Sequence, residues 1–251
     1  NTGTLNLNST ATIEGPSTAA KYGILNTAGT INIAGGKVTS GDGIRLVSGT
    51  LAMSSGLVNS KADDAIEYVN GKITLTGGKV TGKYGIWKSG TTTAEDVLTL
   101  GTDDSTVSTT SPEITTTSGA TNFPATGTFN FYDGVITGGS TLSLNVDNLP
   151  TKASGTYNVV YSNSNKTAKL SNSAVVTNTS LNKNYEDIQV AVDSASSGNT
   201  LKLLKSISKS TTNQLVEIKS DDNIMLDTNG FTLENTNSTS TATSSSSTVY
   251  T

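Results

Sequence analysis

The sequence predicts an all-β chain built as a parallel β-solenoid, with three short strands in each coil. Three observations carry this. A short phrase recurs through the first half of the chain. Its apolar residues alternate strictly. And the composition is too poor in large apolar side chains for a thick globular core: 33% hydrophobic and 5% aromatic residues in 251, with 14% charged. Disorder also suits low hydrophobicity, but it usually comes with high net charge, and the formal charge here is only −4. A thin core repeated many times fits better.

The phrase begins at Gly3, Gly29, Gly49 and Gly71, at intervals of 26, 20 and 22 residues, and returns at Gly127. It reads GTINIAGGKV at 29–38, GTLAMSSGLV at 49–58 and GKITLTGGKV at 71–80. The first strand of each unit carries Leu5/Leu7, Ile31/Ile33, Leu51/Met53, Ile73/Leu75 or Phe129/Phe131. A period of two places each pair on one face. The second strand centres on Ile13, Val38, Val58, Val80 or Ile136, and the third on Ile24, Ile44, Ile66 or Ile86. Gly, Ser, Asp and Asn between them suit tight corners. A single such coil cannot bury its own apolar face, but stacked coils can.

The coils are expected over 1–138, with degenerate copies around Val97–Leu100 and Ile114. Residues 139–177 hold short alternating strands separated by polar turns, read as an end structure. Residues 178–251 hold a capping helix and the first coils of a following solenoid. The helix is expected near 185–197, from Ile188, Val192 and Ala195 at helical spacing with Ala191 beside them. Asn184 would cap it, Glu186 and Asp187 would fill its first turn, and Gly198 would end it. A turn is expected at Asn229-Gly230, and 235–248 is of low complexity.

The helix and strand YEDIQVAVDSASSGNTLKLL (185–204) resembles the N-terminal cap and first coil of right-handed parallel β-helices of the pectate-lyase-like type. IMLDTNGFTLEN (224–235) looks like the opening coils of such proteins. The Gly-Thr coils and FNFYDGVITG (129–138) are similar to repetitive surface proteins of Gram-positive bacteria. The resemblance implies a right-handed β-helix in an extracellular or cell-surface bacterial protein. A starting cap that follows its coils is out of order. Joining VYT at 249–251 to NTGTLNLN at 1–8 produces a phrase that matches an ordinary coil with one residue deleted. The expectation is one period of a tandem array, 178–251 continuing into 1–177, with copies of itself end to end as partners.

No catalytic residue is predicted. Without His or Cys there is no imidazole or thiolate chemistry. The resemblance includes polysaccharide lyases, which need a basic residue beside carboxylate-held calcium, and hydrolases, which need paired carboxylates. The single arginine is Arg45, and the acidic pairs Asp63-Asp64, Asp103-Asp104 and Asp221-Asp222 occupy turns at unmatched coil positions. No cofactor is expected. Asp42, Asp63 and Asp64 are the candidates for calcium, with turn capping as the alternative. Tyr22, Tyr68, Tyr84 and Trp87 recur near the third strand. They are the candidate glycan contacts, with packing beneath the corners as the alternative. The outward first-strand positions read Thr4, Thr30, Thr50, Lys72, Thr128 and Asn6, Asn32, Ala52, Thr74, Asn130, too irregular for a Thr-x-Thr ice-binding face. No basic stripe favours nucleic acid, and no apolar run is long enough to enter a bilayer. The expected function is a structural repeat unit of an extracellular fibre, with an adhesin or carbohydrate-binding module as the alternative.

Overall fold

A computed structural model describes residues 1–91, 93–117, 127–151, 155–211, 215–218 and 223–237. The Asp221-Asp222 pair, most of the low-complexity stretch 235–248 and the junction residues 249–251 lie outside the described residues. The chain divides into two compact units, Asn1–Thr156 with Lys166–Leu170, and Tyr157–Asn165 with Ser171–Thr251.

The first unit is a β-solenoid. Its first coil is β1 (Thr4–Leu7), β2 (Thr12–Glu14) and β3 (Tyr22–Asn26). The second is β4 (Thr30–Ser40) and β5 (Asp42–Leu46), and the third is β6 (Thr50–Ser60) and β7 (Asp64–Tyr68). In these two coils one long strand runs through the first corner. The fourth is β8 (Lys72–Leu75), β9 (Lys79–Gly82) and β10 (Tyr84–Lys88). The fifth is β11 (Val97–Leu100) and β12 (Glu113–Thr116), and the sixth is β13 (Thr128–Phe131) and β14 (Val135–Thr137).

Every pairing between these coils is parallel, and the register keeps like on like. Leu5, Ile31, Leu51, Ile73, Leu98 and Phe129 form one column. Leu7, Ile33, Met53, Leu75, Leu100 and Phe131 form the next. The second strands stack Ile13, Val38, Val58, Val80, Ile114 and Ile136. The third strands stack Ile24, Ile44, Ile66 and Ile86. From the second coil inward these side chains are fully buried. Four columns meeting along a narrow axis explain how so few apolar residues suffice.

The outward positions form ladders of their own. Thr50 Oγ1 donates to Thr30 Oγ1 at 3.1 Å, and Asn32 Nδ2 donates to Asn6 Oδ1 at 2.8 Å. Neighbouring rungs bring identical polar groups within hydrogen-bond reach. The same spacing explains the Gly-Thr corner. A Cβ on Gly49 would collide with the carbonyl oxygen of Gly29, and one on Gly71 with that of Gly49. Gly49 also holds φ at +96°, which favours glycine.

β16 (Thr167–Ser171) pairs antiparallel with β14, Ile136 opposite Ala168. The parallel pairing of the second strands therefore ends at β14. Over the first strand, Asn148 bridges Asn130, and the Phe129 and Phe131 rings stack 5.7 Å apart beneath.

The second unit holds β15 (Asn158–Ser162), β17 (Val176–Asn178), β18 (Lys183–Tyr185), α1 (Ile188–Asp193), β19 (Thr200–Leu203), β20 (Ile207–Lys209), β21 (Met225–Asp227) and β22 (Leu233–Asn235). β19 pairs with β21 and β20 with β22, both parallel, which makes two stacked coils. The Asn229-Gly230 turn joins β21 to β22, both residues at positive φ. The helix is shorter than the 185–197 expected. Asn184 and Tyr185 belong to β18, where Asn184 pairs with Thr177, so the backbone is extended past the expected cap. Asp187 is the N-cap instead, accepting from Gln189 N–H at 2.7 Å and Val190 N–H at 3.3 Å. The helix closes at Ser194, before Gly198, which serves the turn into β19.

Candidate functional site

Outward-facing chemistry collects on the sheet formed by β3, β5, β7 and β10. Each column isoleucine is followed by one outward residue, and parallel register aligns these as Leu25, Arg45, Glu67 and Trp87. Arg45 Nη1 donates to Tyr22 Oη at 2.8 Å, and Tyr22 Oη donates to Glu67 Oε2 at 3.0 Å. Arg45 Nε lies 3.7 Å from the same carboxylate oxygen, and its guanidinium lies 5.3 Å from the Tyr22 ring centroid. Burial, helped by the hydrogen bond to Glu67 and opposed by the one from Arg45, leaves the Tyr22 hydroxyl above its usual range. On the fourth coil the Tyr84 and Trp87 rings lie 4.8 Å apart at 47°, with Lys83 Nζ 5.0 Å from the Tyr84 centroid. Tyr22, Tyr84 and Trp87 are half-buried, each presenting part of a ring to solvent. The result is a strip four rungs long, about 14 Å at the spacing of adjacent strands, with aromatic groups at both ends and an Arg–Glu pair between.

Tyr68 does not join this strip. It is 0% exposed. Ile66 and Tyr68 are two residues apart on one strand and so point to the same side, into the core. Arg45 and Glu67, which do join it, sit at the same coil position as Trp87. That shared register is the sequence signal that finds them.

The calcium candidates are divided by their packing. Asp42 and Asp64 stand at the start of their third strands, in register with Tyr22 and Tyr84, and are 4% and 9% exposed. Asp63 instead lies 3.4 Å from Lys83 Nζ. Among the described residues no three acidic side chains converge to hold a metal ion. Asp42 Oδ2 accepts from Ala20 N–H at 2.8 Å, which is corner-capping geometry. Burial, followed by the charges of Asp63, Asp42 and Glu67, pushes the Asp64 carboxyl up to about 7. Asp42 is also raised, chiefly by burial.

A polar groove of about 670 Å³ crosses the corners between third and first strands of the middle coils, lined by Ser48, Asn70, Lys72, Thr93 and Glu95, with Asp96 on its floor. None of the predicted contact residues lines it. Among the described residues no helix is long and apolar enough to cross a membrane. No protein-family model, curated protein or solved structure matches this chain.

Proposed function

We propose that the chain is a structural repeat unit of a bacterial extracellular or cell-surface fibre, arrayed end to end. One observation carries the reading. Six coils repeat the same inward first-strand columns in parallel register, while the outward residues of the third strands, Leu25, Arg45, Glu67 and Trp87, change from coil to coil. Selection for stacking explains that contrast better than selection for one reactive centre. The likeness of the coil phrase to Gram-positive surface proteins, and of the helix and its strand to pectate-lyase-like β-helices, supports the location and the right-handed sense. A head-to-tail contact that does not close into a ring makes a filament. Electron microscopy of the purified chain at rising concentration tests this. Filaments or linear oligomers are the expected result. Monodisperse single particles at all concentrations would refute end-to-end assembly by docking, and monomeric mass units in the native material would refute a covalent array.

A second reading, a glycan-binding module, is favoured by the Tyr22–Arg45–Glu67–Trp87–Tyr84 strip. Half-exposed rings stack on the apolar faces of sugars, and Arg and Glu supply hydrogen bonds to hydroxyls. On a glycan array this reading predicts binding that Trp87→Ala reduces at least about tenfold, the loss of one stacking contact of about 1.5 kcal/mol. Absence of binding to every glycan would sink it.

A further inference from the structure

The fourth coil leaves β10 at Lys88 and the fifth begins at Val97, so Lys88 and Asp96 stand at the two ends of the connection between these coils. Their side chains are 3% and 0% exposed, with Lys88 Nζ 3.4 Å from Asp96 Oδ2. Lys88 Nζ donates to the carbonyl oxygens of Val69, Ser89 and Thr91. Asp96 Oδ1 accepts from Gly71 N–H at 2.9 Å, and Oδ2 accepts from Thr93 N–H at 2.8 Å. Tyr68 roofs the pair, its ring centroid 5.3 Å from Nζ. Its fully buried hydroxyl makes no hydrogen bond. Burial, and then the charge of Asp96, hold that phenol above its usual range, so it stays protonated. The pair is thus buried, with an amine and a carboxyl held in contact beneath the groove.

We propose that Lys88 and Asp96 condense to an intramolecular amide that ties the end of the fourth coil to the start of the fifth. The step balances without any co-reactant. Oδ2 takes one proton from the Lys88 ammonium, which leaves a neutral amine beside a carboxylic acid. The nitrogen lone pair attacks Cγ and the C–N bond forms. The negative charge of the tetrahedral intermediate develops on Oδ1, where the Gly71 N–H already points. A second proton passes from nitrogen to Oδ2, the Cγ–Oδ2 bond breaks, and water leaves. Two of the three ammonium hydrogens are shared among the backbone carbonyls around Nζ, and the third is the one passed to Asp96. Two effects favour the product. Contact enforced by the fold replaces a bimolecular encounter. And a neutral amide removes two charges whose burial is costly even when paired. In a chain without cysteine, no disulfide can restrain this connection.

Mass spectrometry of the full chain decides the matter. The expected mass is one water below the sequence mass, and digestion should release a branched peptide joining Lys88 to Asp96. Asp96→Asn should still cross-link, losing ammonia in place of water. Lys88→Arg and Asp96→Ala should show the full sequence mass. If those variants fail to fold, the wild-type mass and branched peptide stand alone as the test. A wild-type chain at full sequence mass after prolonged incubation at neutral pH overturns the proposal and leaves an ion pair. So does a lost water that maps to an aspartyl succinimide elsewhere.

Discussion

Asp64→Asn is expected to stabilise the first unit at pH 8 and to leave it nearly unchanged at pH 4. Asp64 is buried and stacks in register beside Asp42, with Asp63 and Glu67 adding negative charge and only Lys83 opposing it. Its folded-state carboxyl titrates at about 7, against 3.8 for the ordinary group. The folded state therefore holds a proton that the unfolded state releases at lower pH. That proton's contribution is fully present below pH 4 and is lost as pH rises through 7. Asp42, raised in the same direction, adds to the trend. Each pH unit in this window costs about 1.4 kcal/mol per group. The full difference between pH 4 and 8 is then on the order of 4 kcal/mol for Asp64 alone. Urea titration at several pH values measures it. Wild-type stability should fall from pH 4 to 8, apart from the carboxylates elsewhere whose pairing acts in the opposite direction, such as Glu113 with Lys79. The variant isolates the Asp64 share. Equal pH dependence in both proteins would show that the carboxyl is solvated and ionised in the fold.

Ile66→Ala is expected to cost about 3–4 kcal/mol, within the range for emptying a buried isoleucine site. Ile66 is sandwiched between Ile44 and Ile86 in the third-strand column. Those neighbours are fixed by their own backbone ladders, so they cannot slide along the axis to fill the gap. The column also makes a statement about coupling. Ile44→Ala and Ile66→Ala share one interface, and their costs should fail to add by at least about 0.5 kcal/mol. Ile66→Ala and Phe129→Ala lie on different strands and distant coils and should add. Leu25→Ala, on the exposed side of the first coil, should change stability by less than about 0.5 kcal/mol. Chemical denaturation of the single and double variants measures all four.

The columns were legible because one register rule governs them. The Gly-Thr start aligns the coils, and the alternation that follows assigns each side chain to the axis or to solvent. The same parity rule, carried past the column isoleucine, puts Arg45, Glu67 and Trp87 outside and Tyr68 inside. It fails before the isoleucine, where Asp42 and Asp64 are buried while Tyr22 and Tyr84, at the same register position, join the outward strip. Reading Asp42, Asp64 and Tyr68 by chemical type alone points the other way, since acids and tyrosines near corners suggest surface. The Lys88–Asp96 contact was hidden for another reason. Corner lengths vary from coil to coil, so no repeat spacing connects the end of β10 to the residue before β11. The helix start was displaced because β18 competes for Asn184 and Tyr185, a tertiary pairing that local spacing does not reveal.

The absence of cysteine allows the stacking register to be tested directly. Thr30 and Thr50 are aligned outward on adjacent coils, with their hydroxyls 3.1 Å apart. Adjacent strands lie about 4.8 Å apart, inside the Cα separation a disulfide requires. The account predicts that Thr30→Cys/Thr50→Cys closes an intramolecular disulfide readily under mild oxidation, and that Thr30→Cys/Ser54→Cys, displaced along the strand, does not. Failure of the aligned pair to close, or equal closure of both pairs, would contradict the parallel stacking on which the whole reading rests.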